Sequence, residues 1–280
     1  MNPPSSNAIA RPALQIGPDA FGPSDTTSLW WLGGAGFLVN SHGTLLAIDP
    51  AISLEPGTSD RSEVGFRLLV DLPLRASEVP HLDVVLYTHT DVDHLAPVTA
   101  RELIRTAAAW VGPQPVIARL RELGVAGARP RVVKAGDRPR FGAVELETTR
   151  ADHAWQVLDP ARYGPAFGPD DCCGFLVHTP EGTIWCTGDT SLLPEHLQTP
   201  GVDVLLLDVS RGDFHLGPEN GAVLANTLGS PYIIPHHFGC YDSPDFGAVN
   251  GDPSEVAAMI RDGARRVRIL APGERFQVRR

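Results

Sequence analysis

The feature that most constrains this chain is a repeated coincidence: a short apolar run, and at its end a side chain able to hold a metal ion. The runs "LLAID", "VVLYTH", "IWCTGD", "LLLD" and "YIIPHH" end in Asp49, His89, Asp189, Asp208 and the pair His236 and His237. They are too short and too rich in β-branched residues for helices, so they read as strands. Polar groups at strand ends project into loops, where a rigid scaffold can bring them to one point. The remaining strand-like runs are "SLWWLG", "GFLVN", "RVVKAGD", "AVELETT", "CGFLVHT" and "RVRIL". Helical spacing appears in "VTARELIRTAAAWV", "PENGAVLANTLG" and "DPSEVAAMIRDGARR". These patterns predict an α/β chain with two strand-rich halves, each covered by helices. A Pro- and Ser-rich tail or strap over residues 1–27 precedes a single domain over residues 28–280. The irregular stretch from Ala51 to Pro80 is expected to cover the site as a lid.

The densest cluster is "VLYTHTDVDHL", with His89, Asp91, Asp93 and His94 directly behind an apolar run. A tight turn there lets His89 and Asp91 face one ion and Asp93 and His94 a second. Completing two sites needs ligands from elsewhere. His153 in "RADHAW", Asp189 in "CTGDT" and His237 in "IPHHFG" are the candidates. Any one of them alone reads equally well as a cap or a solvated polar group. Their joint order along the chain is what argues for metal.

That order resembles the metallo-β-lactamase-fold superfamily, whose pattern is H-x-H-x-D-H, then a lone His, an Asp after a small-residue turn, and a last His. The chain supplies His89-x-Asp91-x-Asp93-His94, His153, Asp189 and His237, with one departure, at Asp91. "LWWLGGAGFLVNSHGTLLAIDP" is similar to the opening hairpin of the branch containing ascorbate-6-phosphate lactonase-like hydrolases, as are "IWCTGDT", "IIPHHFG" and "FHLGPENG".

The resemblance implies a four-layer αββα sandwich holding one or two divalent ions, zinc, manganese or iron. Asp189 would bridge them; His89, Asp91 and His153 would complete one site, and Asp93, His94 and His237 the other. It further implies a hydrolase that attacks a lactone, other ester or amide with metal-activated hydroxide, Asp93 being the catalytic residue that orients the water and passes on its proton. Arg211, His215 and Tyr241 are candidates for binding substrate. Asp49 and His236 are expected to sit behind the ligands. An oxygen donor at Asp91 in place of the usual imidazole favours oxygen-loving ions over zinc. Two rival readings use the same fold: a phosphodiesterase, with Arg61, Arg67, Arg75 and Arg211 as candidate phosphate clamps, and a non-catalytic or regulatory metal-binding protein.

Charge narrows the partners. With 23 Lys and Arg against 33 Asp and Glu, the net charge of −10 argues against general binding to nucleic acid or anionic membrane. A small-molecule substrate is expected, and a homo-oligomer is compatible with the composition. Cys172, Cys173, Cys186 and Cys240 lack a zinc-knuckle spacing and read as reduced thiols of a cytoplasmic protein. No segment is apolar for long enough to read as a signal peptide or a membrane span.

Overall fold

A computed structural model describes residues 8–125, 130–243 and 246–279. In chain order the first strands are β1 (Thr27–Gly33), β2 (Gly36–Ser41), β3 (Thr44–Ile48), β4 (Arg67–Leu68), β5 (Val84–Leu86), β6 (Trp110–Gly112) and β7 (Pro130–Val132). Next come β8 (Arg140–Phe141), β9 (Val144–Arg150), β10 (Cys173–Thr179), β11 (Gly182–Cys186), β12 (Val204–Asp208), β13 (Tyr232–His236), β14 (Tyr241–Asp242) and β15 (Arg275–Gln277). The α-helices are α1 (Pro97–Leu103), α2 (Gln114–Glu122), α3 (Pro160–Tyr163), α4 (Gly217–Leu228), α5 (Pro253–Met259) and α6 (Gly263–Arg266).

Two sheets carry the fold. The seven-stranded one runs β15-β1-β2-β3-β5-β6-β7 and the six-stranded one β13-β12-β11-β10-β9-β8. Side chains alternate across a strand, so Leu29, Trp31, Phe37, Leu46, Ile48, Val84 and Leu86 turn inward against Leu146, Phe175, Val177 and Ile184 of the other sheet. Their neighbours Trp30, Leu32, Leu45, Ala47, Val85 and Tyr87 face the opposite way, against Ala100 and Leu103 of α1 and Val116, Ile117 and Leu120 of α2. On the far side of the second sheet, α4 lays Gly221 against Leu207 and buries Leu224 and Ala225. The result is helix, sheet, sheet, helix. Strands covered on both faces need apolar residues at every position, which explains continuous runs such as "TLLAI" and "VLLLD". Burying one such Leu or Ile side chain stabilises the fold by about 1.5–3 kcal/mol.

Several elements differ from the sequence expectation. Where the spacing of "VTARELIRTAAAWV" predicts helix to its end, Trp110 and Val111 instead open β6, because they are wholly buried between β5 and β7. Packing outweighs the alanine-rich helical propensity there. Helix α2 went unanticipated although Pro lies in its first turn, a regular start signal. "RVRIL" makes only an isolated bridge, Val267 to Ile233, while β15 pairs with β1 and returns the chain to the first sheet.

The described part of the N-terminal segment lies across the fold as a strap. Ala10 N–H donates to the Gly239 carbonyl at 3.0 Å, Leu14 N–H to Pro272 and Ile16 N–H to Pro73. The stretch from Ala51 to Pro80 is pinned rather than free. Glu63 accepts from the backbone N–H of Val98 and Thr99 at the start of α1, β4 pairs with β14, and Phe66 packs on Tyr241. Among the described residues no helix is long and apolar enough to cross a membrane.

Candidate metal centre

Strands β3, β5 and β6 run parallel in one sheet and β11, β12 and β13 in the other, so their C-terminal ends deliver the loops that carry polar residues. All seven residues expected as ligands arrive there. Ligand atoms of His89, Asp91 and His153 lie within 4.8 Å of one another, as do those of Asp93, His94 and His237, and of His89, His94 and Asp189. Asp189 is central. Its Oδ2 stands 3.1 Å from His94 Nε2 and 3.8 Å from His153 Nε2, and its Oδ1 3.5 Å from His237 Nε2.

The tautomers follow from the partners of the other ring nitrogens. His94 Nδ1 donates to Asp49 Oδ2 at 2.8 Å, His153 Nδ1 to the Phe214 carbonyl at 2.8 Å and His237 Nδ1 to the Ala248 carbonyl at 3.0 Å. Carbonyls and carboxylates only accept, so each Nδ1 carries a proton. Thr88 spends its hydroxyl proton on Asp49 at 2.7 Å and so accepts from His89 Nδ1 at 3.0 Å. Four Nε2 atoms are thereby turned to one small space. Those of His89, His94 and His237, together with Asp189 Oδ1, are buried with no hydrogen-bond partner among the described residues. Buried polar atoms are rarely left unpaired. Four orphaned donors of the imidazole and carboxylate types, converging on one point, fit a divalent metal centre.

Local electrostatics point the same way. Burial opposes protonation of His94, but Asp189, Asp49 and Asp93 outweigh it and draw positive charge onto that ring, raising its pKa. Burial, reinforced by the neighbouring His94, lowers that of His89. For Asp189, burial opposes ionisation, yet His94, His237 and His215 hold the carboxyl well below the usual range. Asp91 behaves alike: against burial, the imidazoles of His153 and His89 keep it strongly acidic.

The departure from the family pattern can now be placed. Asp91 points inward, with Oδ2 3.4 Å from both His89 Nε2 and His153 Nε2. It accepts a third contact, 2.7 Å from the indole N–H of Trp155. Asp93, about one-fifth exposed, lies 4.0 Å from His94 Nε2.

The remaining expected residues divide. Asp49 sits beneath the cluster, holding Thr88 by its backbone N–H and hydroxyl, and His94 by its ring. His236 is packed edge-on to Phe37 with neither ring nitrogen hydrogen-bonded; burial pushes its pKa down to about 3, so it is a neutral packing group behind His237. His215 joins the cluster, its ring 4.8 Å from that of His153. Burial opposes its protonation, but Asp208, 2.7 Å from Nδ1, and Asp189 raise its pKa to about 9. Tyr241 is buried against Phe66, and its hydroxyl would lie 2.9 Å from a Cβ on Gly34. Arg211 does not join: its guanidinium pairs with Glu255 at the surface.

Asp208, Trp155 and Phe167 belong to the site without having been assigned to it. Asp208 carried the same strand-end signal as Asp49 and Asp189, and it orients His215 with help from Ser210. Phe167 lies against the rings of His89 and His153, at 5.9 and 6.5 Å. All four cysteines are free and buried.

Comparison with known proteins agrees with this architecture. Residues 47–238 match the beta-lactamase superfamily domain. A UPF0173 metal-dependent hydrolase of Symbiobacterium thermophilum is 27% identical over 256 residues, covering 88% of this chain and 97% of that protein. One of Anaeromyxobacter dehalogenans is 30% identical over 268 residues, covering 89% and 85%. Among solved structures, the metallo hydrolase Igni18 of Ignicoccus hospitalis superposes with a TM-score of 0.65 at 19% identity, over 90% of this chain and 98% of that one. With its two sheets, its strand-end His and Asp residues and these relatives, the chain belongs to the metallo-β-lactamase-fold superfamily, in the family of the UPF0173 metal-dependent hydrolases.

Proposed function

We propose that this metal-dependent hydrolase acts on an uncharged carboxyl derivative, a lactone, other ester or amide. The observation that carries the reading is the composition of the site wall. Among the described residues, the carboxylates of Asp49, Asp91, Asp93, Asp189 and Asp208 form ion pairs only with histidines. Phosphodiester hydrolysis needs cationic clamps on the phosphate. Three of the arginines considered for that are engaged elsewhere, Arg61 with Glu55, Arg67 with Asp60 and Arg211 with Glu255, and Arg75 lines a separate cleft. Among the described residues no Lys or Arg pairs with these carboxylates, so the site wall lacks the cationic side chains that would clamp a phosphodiester. The complete set of His and Asp ligands speaks against the non-catalytic alternative, because an idle site has no chemical reason to keep them.

The seven ligands would hold one or two divalent ions, which supply Lewis acidity and ionise water near neutral pH. The chain's own residues do the rest. Asp93 makes no hydrogen bond to the described protein and is partly exposed, so its carboxylate is free to take a proton from the attacking water and return it to the leaving group. His215, held by Asp208, is placed to donate a hydrogen bond to the oxygen on which charge develops. Phe167 shields the imidazoles of His89 and His153 from bulk water on one side. The hard oxygen of Asp91 tilts the first triad toward manganese or iron.

Metal content per chain, followed by a screen of neutral esters, lactones and amides beside bis(p-nitrophenyl) phosphate, tests this. Metal-dependent turnover of the neutral substrates is expected. Turnover of the phosphodiester alone would overturn the choice of substrate, and a chain that binds no divalent ion would overturn the whole reading.

A further inference from the structure

Asp91 stands where the family pattern has an imidazole, and a carboxylate is the shorter side chain. Its side chain is about one-fifth exposed, on a turn whose next residue, Val92, is largely exposed. A carboxylate in that position has an obvious alternative, which is to turn outward and be hydrated. It does not. The indole N–H of Trp155 donates to Oδ2 at 2.7 Å, the same oxygen that lies 3.4 Å from His89 Nε2 and from His153 Nε2.

We propose that Trp155 is a positioning residue for Asp91, its indole N–H holding the carboxylate toward His89 and His153 so that the first triad can bind its ion. The inference rests on the metal-dependent reading of the site and extends it. Indole suits the task because it donates one hydrogen bond, accepts none and carries no charge at any working pH. It therefore neither competes for the metal nor cancels the negative charge that makes Asp91 a ligand, as Lys or Arg would. Trp155 is itself fixed. It opens a 3-10 turn two residues beyond His153, and its ring packs edge-on to Tyr163 at 4.8 Å. Any ordering of that turn thus places a ligand and the holder of another ligand together. Donors that fix metal-bound carboxylates commonly matter to affinity by about 10–100-fold.

The test is metal binding by the full chain, stripped with chelator and titrated with Mn²⁺ under equilibrium dialysis. Two ions are expected to bind the native protein. Trp155→Phe, which keeps an aromatic ring and loses the N–H, should weaken one of them by about 10–100-fold and leave the other unchanged. In an Asp91→Asn background the same substitution should add nothing further, because the group it orients has already lost its charge. A spectroscopic readout is independent of activity. The resonance of unbound Mn²⁺, followed by electron paramagnetic resonance during the same titration, should show one fewer tightly bound ion in Trp155→Phe than in the native protein. If that variant folds poorly, 3-benzothienylalanine at position 155 preserves the ring shape without the donor. Equal affinity and stoichiometry in native and variant proteins, or an undiminished effect of the variant in Asp91→Asn, would overturn the inference. A native chain that binds no metal would instead overturn the functional reading beneath it.

Discussion

In the second triad, Asp93, His94 and His237, the two imidazoles are fully buried and fixed by acceptors deep in the fold, Asp49 and the Ala248 carbonyl. Two backbones are strained to achieve this: Asp49 has φ 44° and His237 φ 61°. Such left-handed non-glycine positions cost about 1–3 kcal/mol each and persist only where the surroundings enforce them. In the first triad, His89, Asp91 and His153, no left-handed backbone occurs, and the carboxylate, as exposed as Asp93 of the second, is held by an indole from an irregular segment. The second triad is therefore fixed through strained backbone and deep acceptors, while the first relies in part on a side chain from an irregular segment. Rigidity should make the second selective for ions of one size, and the first sensitive to small changes in donor.

The largest expected effect abolishes the contrast. Asp189→Ala removes the carboxylate common to both triads, and turnover should fall by about 10³-fold or more with both ions lost. If one ion stays bound at native affinity, Asp189 is not shared. Next is Asp49→Ala, which frees the His94 ring and removes the acceptor beneath it. Affinity of the second triad should drop by about 10–100-fold and that of the first by less, since Asp49 reaches His89 only through the Thr88 hydroxyl. Competition dialysis resolving two binding steps reads this directly, and equal losses in both steps would mean the triads do not act separately. Third, Asp91→His should raise affinity for zinc relative to manganese in one step only. Unchanged preference would show that Asp91 contributes no ligand.

The smallest effect lies outside both triads and serves as their control. His196 is buried, and burial lowers its pKa from 6.5 while it donates from Nε2 to the Arg150 carbonyl at 2.9 Å. Because the unfolded chain takes up the proton first, its contribution to stability is present above pH 6.5 and is lost as pH falls below that value. Metal-free melting curves of the native protein and His196→Gln between pH 5 and pH 8 should converge toward acid. Acid sensitivity that persists undiminished in the variant would come from other buried groups, His236 among them.

The second triad was the more legible half in the sequence, for a physical reason. Asp49, Asp189 and His237 follow buried strands whose composition announces them, as His89 of the first triad does too, and strand ends have few ways to point. Asp208 gave the same signal, but its role depends on meeting His215 across a loop, which no spacing reveals. Trp155 and Phe167 sit in a stretch with no periodicity, so their approach to Asp91 and His89 is a product of tertiary packing alone. Arg211 illustrates the converse error: a loop position near a ligand strand looks available until Glu255 is found beside it. The layers followed from two-sided burial, whereas β15, three residues long, had too little pattern to find.

That short strand governs the order in which the molecule can be finished. β15 supplies the outer partner for β1, and Gly273 N–H bonds to the Trp31 carbonyl, across more than two hundred residues of chain. During synthesis the "SLWWLG" strand emerges long before its outer partner and waits with an open edge until β15 has been made. An uncovered, aromatic-rich edge is a template for pairing with other chains. Contacts at such separation also form slowly. The nascent protein thus passes through a long interval in which its ligand-bearing strands exist but its first sheet remains unsealed, and its solubility in that interval depends on what meets β1 first.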